Sequence, residues 1–115
     1  MGLPKGYFYL AVAILAEVVA TTALKASEGF SRALPTALVV AGYGTSFYLL
    51  SLALKSVPVG VAYAIWSGVG IVLVTLLAAL LYRQVPDLAA VMGMALIVLG
   101  VAVLMGLSRM GRLAP

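Results

Sequence analysis

Residues 6–24 read GYFYLAVAILAEVVATTAL, an apolar run broken by one charge, Glu17. The run matches the ~20 residues an α-helix needs to cross the hydrocarbon core of a bilayer. It is too long and too evenly apolar for a strand of a membrane barrel, where apolar and polar residues alternate. A cleaved secretory segment would have a shorter apolar part, roughly 7–15 residues, and no acid at its centre. The stretch therefore reads as a membrane-spanning helix with a carboxylic acid at mid-depth.

Three more runs follow, at 33–54, 56–82 and 88–108. The chain has only seven Lys/Arg and three Asp/Glu in 115 residues, and 65% of it is hydrophobic. A soluble domain is about 25% charged, so these residues could not cover a water-facing shell. Pro4, Pro35, Pro58 and Pro86 each stand near the start of a run, where a proline's missing N–H costs a helix nothing. The expected fold is an all-α membrane protein: one domain over 1–115, with transmembrane helices at about 4–26, 33–54, 58–82 and 87–108. Its connections, about 25–34, 54–57 and 83–87, are short enough to make successive helices antiparallel neighbours.

Four helices are too few to enclose a sizeable polar cavity, so a dimeric bundle is expected. Lys5, Lys55, Arg109 and Arg112 fall on one side of the membrane, Lys25, Arg32 and Arg83 on the other. The positive-inside rule acts on that difference. A difference this small allows insertion both ways round, and opposite-facing protomers.

Composition excludes much else. There is no Cys, His or Asn, hence no disulfide, no Cys- or His-based metal site and no N-glycosylation acceptor. The net charge of +4 is spread singly along the edges of apolar runs, as at membrane flanks and unlike a nucleic-acid stripe. The chain reads as a non-enzyme that needs no cofactor.

Glu17 is the candidate centre. An ionised carboxylate at mid-membrane is costly, and such residues face a bundle interior or water and serve function. Burial disfavours the charged form, which makes Glu17 a candidate proton carrier. Lys25, eight residues on, lies about 12 Å away along the axis, and no Lys or Arg falls at Glu17's depth in another run. An acid in an apolar setting with no counter-ion of its own suits protons or a cationic ligand. Leu10, Ala13 and Thr21 share its helix face. Ala13 is small enough to leave room. Thr21 has two readings, a hydrogen bond toward the carboxylate or water, or one to its own backbone.

Tyr63 and Trp66 lie one turn apart in the third run, deeper than an interfacial belt. Aromatic faces attract organic cations, more strongly when desolvated, and a ligand role is the expectation for this pair. Tyr43, with Ser46 and Phe47 beside it, has a ligand role and plain packing as open readings, and Tyr7 is the more peripheral candidate. Gly68 and Gly70 are read as a conformational hinge, with a close-packing notch as the alternative. Gly93 and Gly100, seven apart in a run that is otherwise apolar up to Ser108, are read as a dimer contact.

Four stretches carry a resemblance: LAEVVATTALKASEGF (15–30), SFYLL (46–50), PVGVAYAIWSGVGIVLV (58–74) and GMALIVLGV (93–101). They are similar to the small multidrug resistance family, in its quaternary-ammonium branch, over nearly the whole chain. The resemblance implies an antiparallel homodimer in the bacterial inner membrane. It implies export of aromatic or quaternary ammonium cations in exchange for protons. The family's essential glutamate falls on Glu17 and its substrate-contacting aromatics on Tyr43, Tyr63 and Trp66, with Tyr7 peripheral. Its small and polar pocket residues fall on Ala13, Thr21 and Ser46, its kink on Gly68 to Gly70, and its dimer contact on Gly93 and Gly100. A sibling branch exports guanidinium and typically has Gly four residues before the acid and Trp three after it. Here these are Ala13 and Ala20. Ala20 also stands where the multidrug branch leads one to expect glycine, and Arg83-Gln84-Val85-Pro86-Asp87 departs from its third loop. A guanidinium exporter, a non-transporting subunit of a heterodimer and a cation channel are the competing readings.

Overall fold

The computed structural model describes residues 5–107. Pro4, Ser108, Arg109 and Arg112, used above to place the outer ends of the first and fourth helices and part of the charge balance, lie outside the described residues. The fold among these residues is all-helical: α1 Lys5–Ala26, α2 Ala33–Ala53, α3 Val59–Tyr82 and α4 Leu88–Gly106. All four are long and apolar enough to cross a membrane.

Several helix ends have a local cause. Pro58 occupies the N-cap of α3 with non-helical backbone (φ −56°, ψ 141°). Asp87 caps α4, its side chain accepting from the Ala90 N–H at 2.9 Å. At the far end of α3, Arg83 adopts the left-handed conformation (φ 57°) and turns the chain out of the helix. Between α1 and α2, Glu28, Gly29 and Phe30 all have positive φ. The buried Ser27 hydroxyl organises that turn, donating to the Leu24 carbonyl and accepting from the Phe30 N–H.

Lipid tails are as apolar as leucine, so helices in a membrane associate through close packing, not through the hydrophobic effect. Small residues set the contacts here. At the α1–α2 crossing, a Cβ built on Gly42 would stand 2.7 Å from the Ala20 Cβ and 3.0 Å from the Ala16 carbonyl oxygen. Ala13 and Ala20 are fully buried. Ala20, the departure from the expected glycine, thus faces the bare backbone of Gly42. Nearer the N-terminus of α1, Leu10, Ile14 and Val18 form one face of a core completed by Ala53, Val57, Val61 and Ala62.

α1 packs on both α2 and α3, while α2 and α3 make at most slight contact with each other. The three helices form a trough, with α1 as its floor. α4 leans on α3 and buries none of its own residues. Gly68 marks that contact, since a Cβ there would come within 2.8 Å of Val101 Cγ2.

Candidate functional site

Glu17 lies midway along the floor of the trough. It borders a cavity of about 370 Å³ whose walls are Tyr43, Phe47, Leu50 and Leu54 of α2 and its C-cap, and Val59, Ala62, Tyr63 and Trp66 of α3. The lining holds one carboxylate, three hydroxyl- or N–H-bearing aromatics and no basic residue. Glu17 Oε2 is buried and has no hydrogen-bond partner among the described residues. A buried oxygen with unspent acceptor capacity costs free energy unless a proton or a ligand satisfies it.

Tyr43 is held from behind. Its hydroxyl shares a 2.7 Å hydrogen bond with Thr21 Oγ1, one turn beyond Glu17 on α1. This contact was neither of the two readings open for Thr21. Thr22 takes the backbone role, donating to the Val18 carbonyl at 2.8 Å. Phe47 stacks on Tyr43 with centroids 6.0 Å apart and planes 18° from parallel. The aromatic wall on α2 is therefore a stacked pair, fixed at one end by a hydroxyl. Across the cavity Trp66 is partly buried, whereas Tyr63 is 72% exposed and Phe47 60%. One side of the cavity is open, so a single protomer half-encloses whatever sits beside Glu17.

The structure gathers Glu17, Tyr43, Tyr63 and Trp66 around one space, with Thr21 behind Tyr43. It does not bring the other candidates to that lining. Ala13 is sealed in the helix packing. Ser46 is fully buried, and its Oγ too has no hydrogen-bond partner among the described residues. Tyr7 borders a separate apolar recess with Leu10, Ile14, Ile65 and Leu73. α3 runs unbroken through Gly68 and Gly70, and Gly70 is buried beside Trp66, whose Cδ1 would be 3.7 Å from an added Cβ. Gly93 and Gly100 face open space.

Phe47, Leu50, Leu54, Val59 and Ala62 were not among the site candidates. Helical spacing carries them: Tyr43, Phe47, Leu50 and Leu54 recur at i, i+4, i+7 and i+11, and Val59, Ala62, Tyr63 and Trp66 at i, i+3, i+4 and i+7. Each set is one helix stripe, centred on aromatics already singled out.

The profile of the Small Multidrug Resistance protein family matches residues 5–97. The chain is 56% identical over 105 residues to the quaternary ammonium compound-resistance protein QacE of Escherichia coli, covering 91% of this chain and 96% of that protein. It is 58% identical over 105 residues to the quaternary ammonium compound-resistance protein QacF of Klebsiella aerogenes, with the same coverage of 91% and 96%. It is 52% identical over 103 residues to the multidrug transporter EmrE of Escherichia coli (strain K12), covering 90% and 94%. Four membrane-spanning helices and a family match over most of its length lead to one assignment: the chain belongs to the Small Multidrug Resistance protein family, as a multi-pass protein of the bacterial inner membrane.

Proposed function

We propose that this protein exports lipophilic, aromatic or quaternary ammonium cations in exchange for protons, with Glu17 binding the two in turn. The observation that carries the reading is the Glu17 carboxylate itself. It has a buried, unpartnered oxygen at the edge of a cavity lined by Tyr43, Tyr63 and Trp66 and free of basic residues. A carboxylate in such a place is satisfied by a proton or by a cation whose apolar body stacks on the rings. Relatives named for quaternary ammonium resistance and multidrug transport support that substrate class.

Coupling follows from competition. A proton on Glu17 removes the charge that holds the cation, and a bound cation displaces the proton, so each ligand weakens the other by the same factor. The cavity is open on one side, and the exposed α4 glycines offer a packing surface. These features favour a homodimer, antiparallel as the near-even basic balance allows, with two Glu17 carboxylates sharing one chamber. Access alternates between the two faces as α3 bends about Gly68 and Gly70. Ala13, Ser46 and Tyr7 complete the chamber only if helices shift or the partner supplies them.

The test is proton release from the detergent-purified protein on adding tetraphenylphosphonium, with Glu17→Gln as control. Release by the wild type alone supports exchange at Glu17. Glu17→Gln that still performs proton-driven transport would sink the mechanism.

A further inference from the structure

The trough has a second end, which the proposed exchange leaves unused. On the far side of the Thr21–Tyr43 bond, α1, the first turns of α2 and the last turns of α3 enclose a groove of about 330 Å³. Its lining includes Thr22, Ala26, Leu34, Leu38, Leu81 and Tyr82. The groove holds little that would retain water. The Tyr82 hydroxyl already donates to the Thr22 carbonyl at 2.8 Å, and the Thr22 hydroxyl to Val18. A water needs two to four free polar partners to remain in such a space.

The mouth of the groove is basic. Lys25 Nζ stands 5.3 Å from the centroid of the Tyr82 ring, over one wall of the groove. Arg32 is the N-cap residue of α2, two positions before Leu34, and Arg83 directly follows Tyr82 at the end of α3. Each helix that walls the groove thus brings one basic residue to the same end. All three are exposed, and none forms an ion pair among the described residues. Two acids lie at this end, Glu28 and Asp87, the latter turned to the α4 N-terminus as its cap, so three positive charges face two negative ones and the end keeps a net positive charge.

We propose that this groove is a binding site for an anionic phospholipid. One acyl chain lies between α1, α2 and α3, and the phosphate is held by Lys25, Arg32 and Arg83. Basic residues at helix ends draw anionic headgroups, and basic pockets between transmembrane helices hold them specifically. An organic cation does not fit this end, because the lining has no carboxylate and the mouth is positive.

The experiment is native mass spectrometry of the full chain in neutral detergent, titrated with phosphatidylglycerol and with phosphatidylcholine of the same chains. The wild type is expected to retain phosphatidylglycerol preferentially. Lys25→Gln and Arg32→Gln each reduce that preference about fivefold, whereas Lys55→Gln at the opposite end leaves it unchanged. Ala26→Phe, which fills the groove but keeps the charges, lowers phosphatidylglycerol retention to the phosphatidylcholine level. Helical circular dichroism confirms that each variant is folded. The proposal is overturned if the preference survives Lys25→Gln and Arg32→Gln, or falls equally in Lys55→Gln, since either means diffuse attraction. It is also overturned if Ala26→Phe keeps the preference or breaks subunit association instead, the latter meaning that a second copy covers the groove. Displacement by millimolar inorganic phosphate would equally defeat it, pointing to a small-anion site.

Discussion

The α1–α2 crossing makes a prediction that can be worked from the geometry. Gly42→Ala places a methyl 2.7 Å from the Ala20 Cβ and 3.0 Å from the Ala16 carbonyl oxygen. Carbon atoms pack best at about 3.5–4.0 Å, so the two helices must part by close to 1 Å. Overpacking of this kind costs roughly 1–3 kcal/mol. Against it stands the gain of about 0.5–1 kcal/mol from replacing a helical glycine with alanine. The single variant therefore understates the clash. A double-mutant cycle with Ala20→Gly removes the difficulty, because helix propensity cancels in the coupling term while the Cβ–Cβ contact does not. The expected coupling is about 1–2 kcal/mol, with rescue incomplete because the Ala16 oxygen still crowds the new methyl. The assay is reversible unfolding of the four proteins in detergent, followed by far-UV circular dichroism. A coupling below about 0.5 kcal/mol, within ordinary additivity, would refute the claim that Ala20 and Gly42 set the approach of α1 and α2.

Three further outcomes are expected. Tyr43→Phe and Thr21→Val each remove the same 2.7 Å hydrogen bond, worth about 1 kcal/mol net. Each should weaken tetraphenylphosphonium binding up to about tenfold by isothermal titration, and the double variant should be little worse than either. Tetraphenylphosphonium affinity should fall as pH is lowered, because a protonated Glu17 offers no charge to the cation, and the dependence should vanish in Glu17→Gln, as read by equilibrium binding across a pH series. Asp87→Ala removes the cap that accepts from the Ala90 N–H and should cost about 1 kcal/mol of unfolding stability, while leaving cation binding unchanged.

The four spans and the central acid were legible in the sequence because a bilayer tolerates so little. A helix that crosses it must be apolar for ~20 residues, and a carboxylate within one has few reasons to be there. For the same reason Tyr63 and Trp66 could be paired from spacing alone, as residues one turn apart share a face whatever surrounds them. Spacing cannot say which face meets which neighbour. Thr21 and Thr22 are adjacent and chemically identical, yet one reaches Tyr43 on another helix and the other its own backbone. Tyr7 and Tyr43 looked like candidates for the same space, but only Tyr43 lines it. Gly68 could be a hinge or a notch on sequence grounds; its close approach to Val101 of α4 is a contact that spacing within α3 does not give.

What the sequence determined by itself is the class of protein, through long apolar runs, and the location of its one mid-membrane acid. What only the tertiary structure decided is that α1 lies as a floor between two walls that barely touch, open on one face and divided near Glu17 into an aromatic end and a basic end. That arrangement depends on contacts between residues far apart in the chain. The meeting of Ala20 with Gly42, of Gly68 with Val101 and of Thr22 with Tyr82 follows from the approach of packed helices, and not from the periodicity of any one of them.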